Sequence, residues 1–197
     1  MTQPAPEPSD TVQADSELMP QGTADEMSVI GPRGSDSSLP SDTPIDGVTG
    51  SLPDGKVVVI ASRYNEAICN SICDAAVQTL REAEVREDNI VVVRIPGAWE
   101  LPTATAMVLE DKTVVAVIAL GCVIKGETTH DEHINRAVSL GLMELSIDAS
   151  VPIGFGLLTC NTTEQAIQRS GGAVGNKGEE TAQAVLEMLR LGQKLSG

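Results

Sequence analysis

The chain has 197 residues, a formal net charge of −15, 41% apolar residues and only 2% aromatic ones. That length supports one folded domain with a sizeable core, and the negative charge lacks the basic footprint that nucleic acid or an anionic membrane surface requires. The longest apolar run, near Val114 to Leu120, is broken at Gly121 and is too short to cross a bilayer.

Residues 1–53 hold eight of the eleven prolines and nine acidic side chains against the single Arg33. Such a composition buries too little apolar surface to offset its ordering entropy, so it reads as a disordered acidic tail before a folded domain over residues 54–197. The opening MTQPAPEPSD lacks the basic and apolar regions of a secretory leader. Cys69, Cys73, Cys122 and Cys160 form no CxxC pair and read as small buried hydrophobes. A soluble cytoplasmic protein is expected. The order His130-Asp131-Glu132-His133 matches neither a zinc protease nor a zinc finger, so no metal is expected.

From Lys56 the texture changes. Lys56 to Ser62, KVVVIAS, is a β-branched run of strand length that reads as buried on both faces. Ile68, Ile72, Ala76 and Leu80 then recur at helical spacing. Asn89 to Ile95 is a second strand, Pro96-Gly97 a turn, and Glu100 to Glu110 a helix with Pro102 in its first turn. Val114 to Leu120 is a third strand and Asp131 to Ala149 a long helix. Pro152 to Thr159 is a fourth strand, followed by Asn161 or Thr162 as a helix cap. A helix to about Ser170, the loop GGAVGNKG and a helix from Glu179 to Leu195 complete the chain. Strictly alternating strands and helices require right-handed crossovers, hence a four-stranded parallel sheet between two helical layers.

Ligands of such sheets bind beyond the carboxyl ends of the strands. Gly126-Glu127-Thr128-Thr129-His130 lies there, between the third strand and a helix start. Helix-start N–H groups favour an anion, the threonines supply donors, and histidine is the side chain suited to moving protons near neutral pH. Tyr64 follows the first strand and Trp99 the second, at the same level, where they suit a flat ligand. Phe155 instead lies inside the fourth strand, between Gly154 and Gly156, away from its own crevice. The flanking glycines read as space for a neighbouring subunit.

Arg63-Tyr64-Asn65, Pro96-Gly97-Ala98-Trp99-Glu100-Leu101-Pro102, Gly121 to His130 and Asn176-Lys177-Gly178 together resemble the 6,7-dimethyl-8-ribityllumazine synthase family, over about Lys56 to Leu195. The resemblance implies a flavodoxin-like fold. It implies that 5-amino-6-(D-ribitylamino)uracil condenses with 3,4-dihydroxy-2-butanone 4-phosphate to give the lumazine, phosphate and water, the penultimate step of riboflavin biosynthesis, a reaction for which no cofactor is expected. By the same resemblance Tyr64 stacks on the ring, while Ala98, Trp99 and Glu100 hold the pyrimidine and ribityl chain. Cys122, Val123 and Ile124 would bind the uracil largely through backbone. Glu127 and Thr128, with Arg169, would hold the phosphate, Phe155 would be lent to an adjacent subunit, and His130 would transfer protons. A homo-oligomer is implied, a pentamer or an icosahedral shell of pentamers, with riboflavin synthase as a partner. The alternative is a flavin- or lumazine-binding or shell-forming protein without turnover, which would need stacking but neither a proton shuttle nor a phosphate site.

Overall fold

Four segments rich in valine and isoleucine pair into one parallel sheet. In the computed structural model, which describes residues 44–196, these are β1 (Lys56–Ser62), β2 (Ile90–Ile95), β3 (Val114–Ile124) and β4 (Ile153–Cys160). Their order is β2-β1-β3-β4, the flavodoxin-like arrangement. β1 and β3 are central, and every residue from Val57 to Ser62 is buried. The expectation of a strand covered on both faces holds.

Side-chain alternation along β1 divides the core in two. Val57, Val59 and Ala61 pack with α1 (Glu66–Glu82) and α5 (Lys177–Ser196). Val58 and Ile60 pack with Leu101 of α2 (Leu101–Val108) and with Val138 and Leu142 of α3 (His130–Ala149). Each fully buried Val, Ile or Leu contributes about 1.5–3 kcal/mol, so the two aliphatic cores hold the sheet without any aromatic residue. α1 and α5 touch at Gly178, where a Cβ would meet the Ile72 carbonyl oxygen at 1.8 Å. The glycine of Asn176-Lys177-Gly178 therefore serves helix packing.

Several boundaries differ from the sequence reading. β3 runs on to Ile124 because Gly121 stays in register with Leu157. A 3-10 turn, Ala98–Glu100, precedes α2, and α3 begins at His130 itself. Thr162 caps α4 (Thr163–Gln168), its hydroxyl accepting from the Gln165 N–H at 3.3 Å. The loop GGAVGNKG contains a small hairpin, β5 (Ser170–Gly172) with β6 (Gly175–Asn176).

The glycines flanking Phe155 have another cause than the one expected. A Cβ on Gly154 would lie 2.6 Å from both Thr181 Cγ2 and Val185 Cγ2, and one on Gly156 would collide with Leu120 Cδ2 of β3 and lie 3.0 Å from Thr181 Oγ1. Within the chain they make room for α5 and for the Leu120 side chain.

The tail expected over residues 1–53 lies outside the described residues up to residue 43. Beyond that point the chain runs along α5: Lys194 Nζ donates to the Asp46 carbonyl at 2.9 Å, and Leu52 packs on the core beneath α1 and α5. No helix among the described residues is long and apolar enough to cross a membrane.

Candidate active site

The chain leaves β1 toward α1 on one face of the sheet and leaves β3 toward α3 on the other. A crevice opens where neighbouring strands part in this way. Here it is a cleft of about 590 Å³ between the loop after β1, the Ala98–Glu100 turn and the start of α3. That volume suits a small ligand. A cavity of about 380 Å³ lined by Leu52, Asp54, Glu84 and Arg86 lies away from all these loops, and Arg86 and Asp54 there are already paired at 2.7 Å.

The loop after β1 is held at several points. Arg63 N–H donates to the Ile95 carbonyl at 2.8 Å, the Tyr64 N–H to Ser62 Oγ at 3.1 Å, and the Cys69 thiol to the Tyr64 carbonyl at 3.1 Å. Asn65 sits in the left-handed region at φ 56° and caps α1 without using its side chain. Its amide instead crosses the cleft floor and donates to the Cys122 carbonyl at 3.0 Å. Asparagine suits both tasks, since it tolerates left-handed backbone and carries a short donor. Asn65→Ala should lose a bond worth about 1 kcal/mol and strain the backbone by about 1–2 kcal/mol, lowering the melting temperature by roughly 4–12 °C. Asn65→Gly should recover the backbone part in the same thermal scan.

Of the twelve residues singled out in the sequence, Tyr64, Ala98, Trp99, Cys122, Val123, Ile124, Thr128 and His130 line this cleft. The chain's single tyrosine and single tryptophan are 71% and 58% exposed, although either could have filled a core. Burial, reinforced by Cys69 and Cys160, pushes the Cys122 thiol up to about 12, so it packs as a neutral group. His130 opens α3, its N–H 3.5 Å from Thr128 Oγ, and its side chain is exposed to the cleft. Among the described residues, no three His, Cys, Asp or Glu side chains converge as metal ligands.

Four residues lie outside the lining. Glu127 is exposed on the rim loop, and the Glu100 carboxylate folds back toward Gly97, whose Cβ position would be 3.2 Å from Glu100 Oε2. Phe155 is on β4, an edge strand of the sheet. Arg169 follows α4 and is engaged elsewhere: its guanidinium donates to both carboxylate oxygens of Glu180 at 2.9 and 2.8 Å and to the Val174 carbonyl at 3.0 Å. The Arg169 guanidinium holds the Glu180 carboxyl below its usual range. Asn65, Gly97, Gly126, Asp131, Ile134 and Thr163 also line the cleft and were not singled out. Asn65, Gly97 and Gly126 sit within the quoted motifs; Ile134 follows His130 by four positions, on its side of the helix, and Asp131 is the next residue of the same first turn.

A family model for 6,7-dimethyl-8-ribityllumazine synthase matches residues 54–193. The chain belongs to the 6,7-dimethyl-8-ribityllumazine synthase family. A 6,7-dimethyl-8-ribityllumazine synthase of Rhodopirellula baltica is 62% identical over 151 residues, which are 77% of this chain and 97% of the relative. The match spans every loop around the cleft. The chain is accordingly an enzyme, a lumazine synthase acting as a transferase in riboflavin biosynthesis. The cleft sets side by side exposed rings on two loops, the strand-end residues Cys122 to Ile124 and a histidine at a helix start.

Proposed function

We propose that this cleft is where 5-amino-6-(D-ribitylamino)uracil and 3,4-dihydroxy-2-butanone 4-phosphate condense to the lumazine, phosphate and water. The observation that carries the reading is the exposure of Tyr64 and Trp99 beside the backbone of Cys122 to Ile124 and the side chain of His130. Rings left in water at a cleft mouth lose their burial energy unless a flat ligand covers them. Aligning two reactants can remove several kcal/mol of barrier, with about 7–11 kcal/mol as the upper range. His130 then moves protons during imine formation, phosphate elimination and ring closure. The alternative of a storage protein has no use for His130 at this point. Mixing both substrates with the protein should release lumazine, followed by its absorbance, and phosphate in equal amounts. Absence of both products overturns the reading.

In this reading Thr128 and the first turn of α3 receive the phosphate, with Arg169 as its cation and Glu127 at the rim. Arg169 keeps guanidinium N–H groups beyond those that Glu180 and Val174 occupy, because a guanidinium has five. Arg169→Ala should raise the KM for the butanone phosphate about 10- to 100-fold, the value of one or two charge-assisted bonds, with little change for the uracil. Equal effects on both substrates would instead point to the loss of the Glu180 contact as structural damage.

The working unit in this reading is a homo-oligomer, a pentamer or a shell of pentamers, with riboflavin synthase as a partner. Supporting it, Leu140, Met143 and Ile147 form an exposed apolar stripe on α3, 58%, 60% and 67% exposed. We place the enzyme in the cytoplasm, which its four unbridged cysteines favour.

A further inference from the structure

At the cleft β3 runs on past the end of β1, and a side chain stands where the next backbone rung between them would be. Along a central parallel strand the backbone groups face the two neighbours in turn. Val117 N–H donates to the Pro152 carbonyl at 3.0 Å and Lys125 N–H to that of Cys160 at 2.8 Å, so odd positions of β3 face β4. The even ones, Leu120, Cys122 and Ile124, face β1. From β1, Arg63 N–H donates to the Ile95 carbonyl of β2, which leaves Ser62 and then Tyr64 to face β3. Continued by one rung, the ladder would bring the Tyr64 N–H to the Cys122 carbonyl. That N–H turns back to Ser62 Oγ at 3.1 Å instead, and the Tyr64 carbonyl accepts from the Cys69 thiol at 3.1 Å. The Asn65 amide takes the vacated place on the Cys122 carbonyl at 3.0 Å.

Exchanging a backbone rung for a side chain lets the chain leave the sheet at Tyr64 while the end of β3 stays tied to it. Among the described residues this is the one hydrogen bond from residues 63–65 to β3. Ile124, the next position on this side, then lines the cleft with no residue of β1 opposite it. A flat ligand that stacks on Tyr64 and bonds the backbone at the end of β3 spans two elements, and Asn65 is what joins them. We propose that Asn65 is a positioning residue for the ribitylaminouracil: its amide holds the Tyr64 loop and the end of β3 in the one arrangement that ring and backbone must share to grip this substrate. Groups ordered before binding need not be ordered by it, which is how a preorganised site gains affinity. The butanone phosphate draws nothing from this tie, because its anchors are Thr128, the start of α3 and Arg169. The inference rests on the reading of this cleft as the active site.

The test compares Asn65→Asp, Asn65→Gly, Ile72→Val and Trp99→Leu with the unaltered protein, measuring the KM of each substrate, the binding of ribitylaminouracil alone by calorimetry, and the melting temperature. Asp and Gly both accept the left-handed backbone of Asn65 at φ 56°, but neither donates to the Cys122 carbonyl. Both variants should weaken ribitylaminouracil about 3- to 10-fold, in KM and in direct binding, the value of one hydrogen bond, and leave the KM for the butanone phosphate unchanged. Ile72→Val trims a fully buried side chain of α1 away from the cleft. It should lower the melting temperature and move neither KM, so lost stability and lost positioning are told apart. If Asn65→Asp fails to fold, Asn65→Gly carries the comparison. Equal KM changes for both substrates, a lower melting temperature with unchanged ribitylaminouracil binding, or a like KM shift in Ile72→Val overturns the role of Asn65. If Trp99→Leu weakens ribitylaminouracil binding while the Asn65 variants do not, the inference alone falls. If Trp99→Leu also changes nothing, the cleft reading falls with it.

Discussion

Replacing His130 by alanine should slow lumazine formation by about one to three orders of magnitude, within the range of a general acid–base group, and leave the affinity for both substrates nearly intact. The side chain opens α3 and faces the cleft, and no hydrogen bond from its ring to another described residue holds the loop together. Its removal costs proton transfer and little else, so the melting temperature should stay unchanged. The loss stops short of the full rate enhancement because alignment of the reactants, which the proposed reading gives to Tyr64, Trp99 and the strand ends, remains in place. The measurement is kcat from lumazine absorbance, with phosphate release as an independent signal. A variant with unchanged kcat would take His130 out of the chemistry. One that lost binding of both substrates would make it a structural part of the wall.

How much of this could be read from the residues depended on whether a pattern has one physical cause or several. KVVVIAS has one cause, since a β-branched run of strand length pays only when both faces are covered, and β1 is central with helices on each side. Thr162 was legible as one of two caps because Gln165 follows three positions later, and the structure uses that pair. Glycine has several causes. Gly121 read as a strand end but stays in the ladder opposite Leu157, and Gly154 and Gly156 read as space for another subunit but accommodate α5 and, at Gly156, the Leu120 side chain. The segment 44–53 read as tail by composition, yet Leu52 reaches the core, which three aliphatic residues, Ile45, Val48 and Leu52, without helical or strand spacing do not announce. In the site, the lining residues found in advance lie at the end of β3 or on the turns and helix start that follow the strands, where chain order fixes position. Long side chains were harder. Nothing in the spacing of Arg169 and Glu180, eleven positions apart, reveals that the two are paired in a bidentate contact. The reach of Asn65 across to Cys122 was equally hidden, since its visible signal, an asparagine after a strand, speaks only of backbone tolerance.

Phe155 leads to the remaining large effect. It stands five residues before the end of β4, roughly 16 Å from the carboxyl end of the strand at 3.3 Å per residue, so it cannot reach the cleft of its own chain. It is nevertheless 41% exposed, on an edge strand, and it is the chain's single phenylalanine. A large ring kept at an open edge is explained if an adjacent subunit offers its cleft there, in a head-to-tail ring of composite sites. Phe155→Asp should then remove most activity while sparing the fold, because the position is half open to solvent in the single chain. Refolding Phe155→Asp together with His130→Ala provides the sharper test. In rings assembled at random from equal amounts, roughly one site in four pairs an intact Phe155 from one subunit with an intact His130 from the next, and activity should return to about that fraction of the unaltered enzyme. If each site belonged to one subunit, every site in the mixture would carry one lesion, and the activity would remain at the mean of the two inactive parents. Mixed rings verified by mass and found at that parental mean would place Phe155 outside the active site.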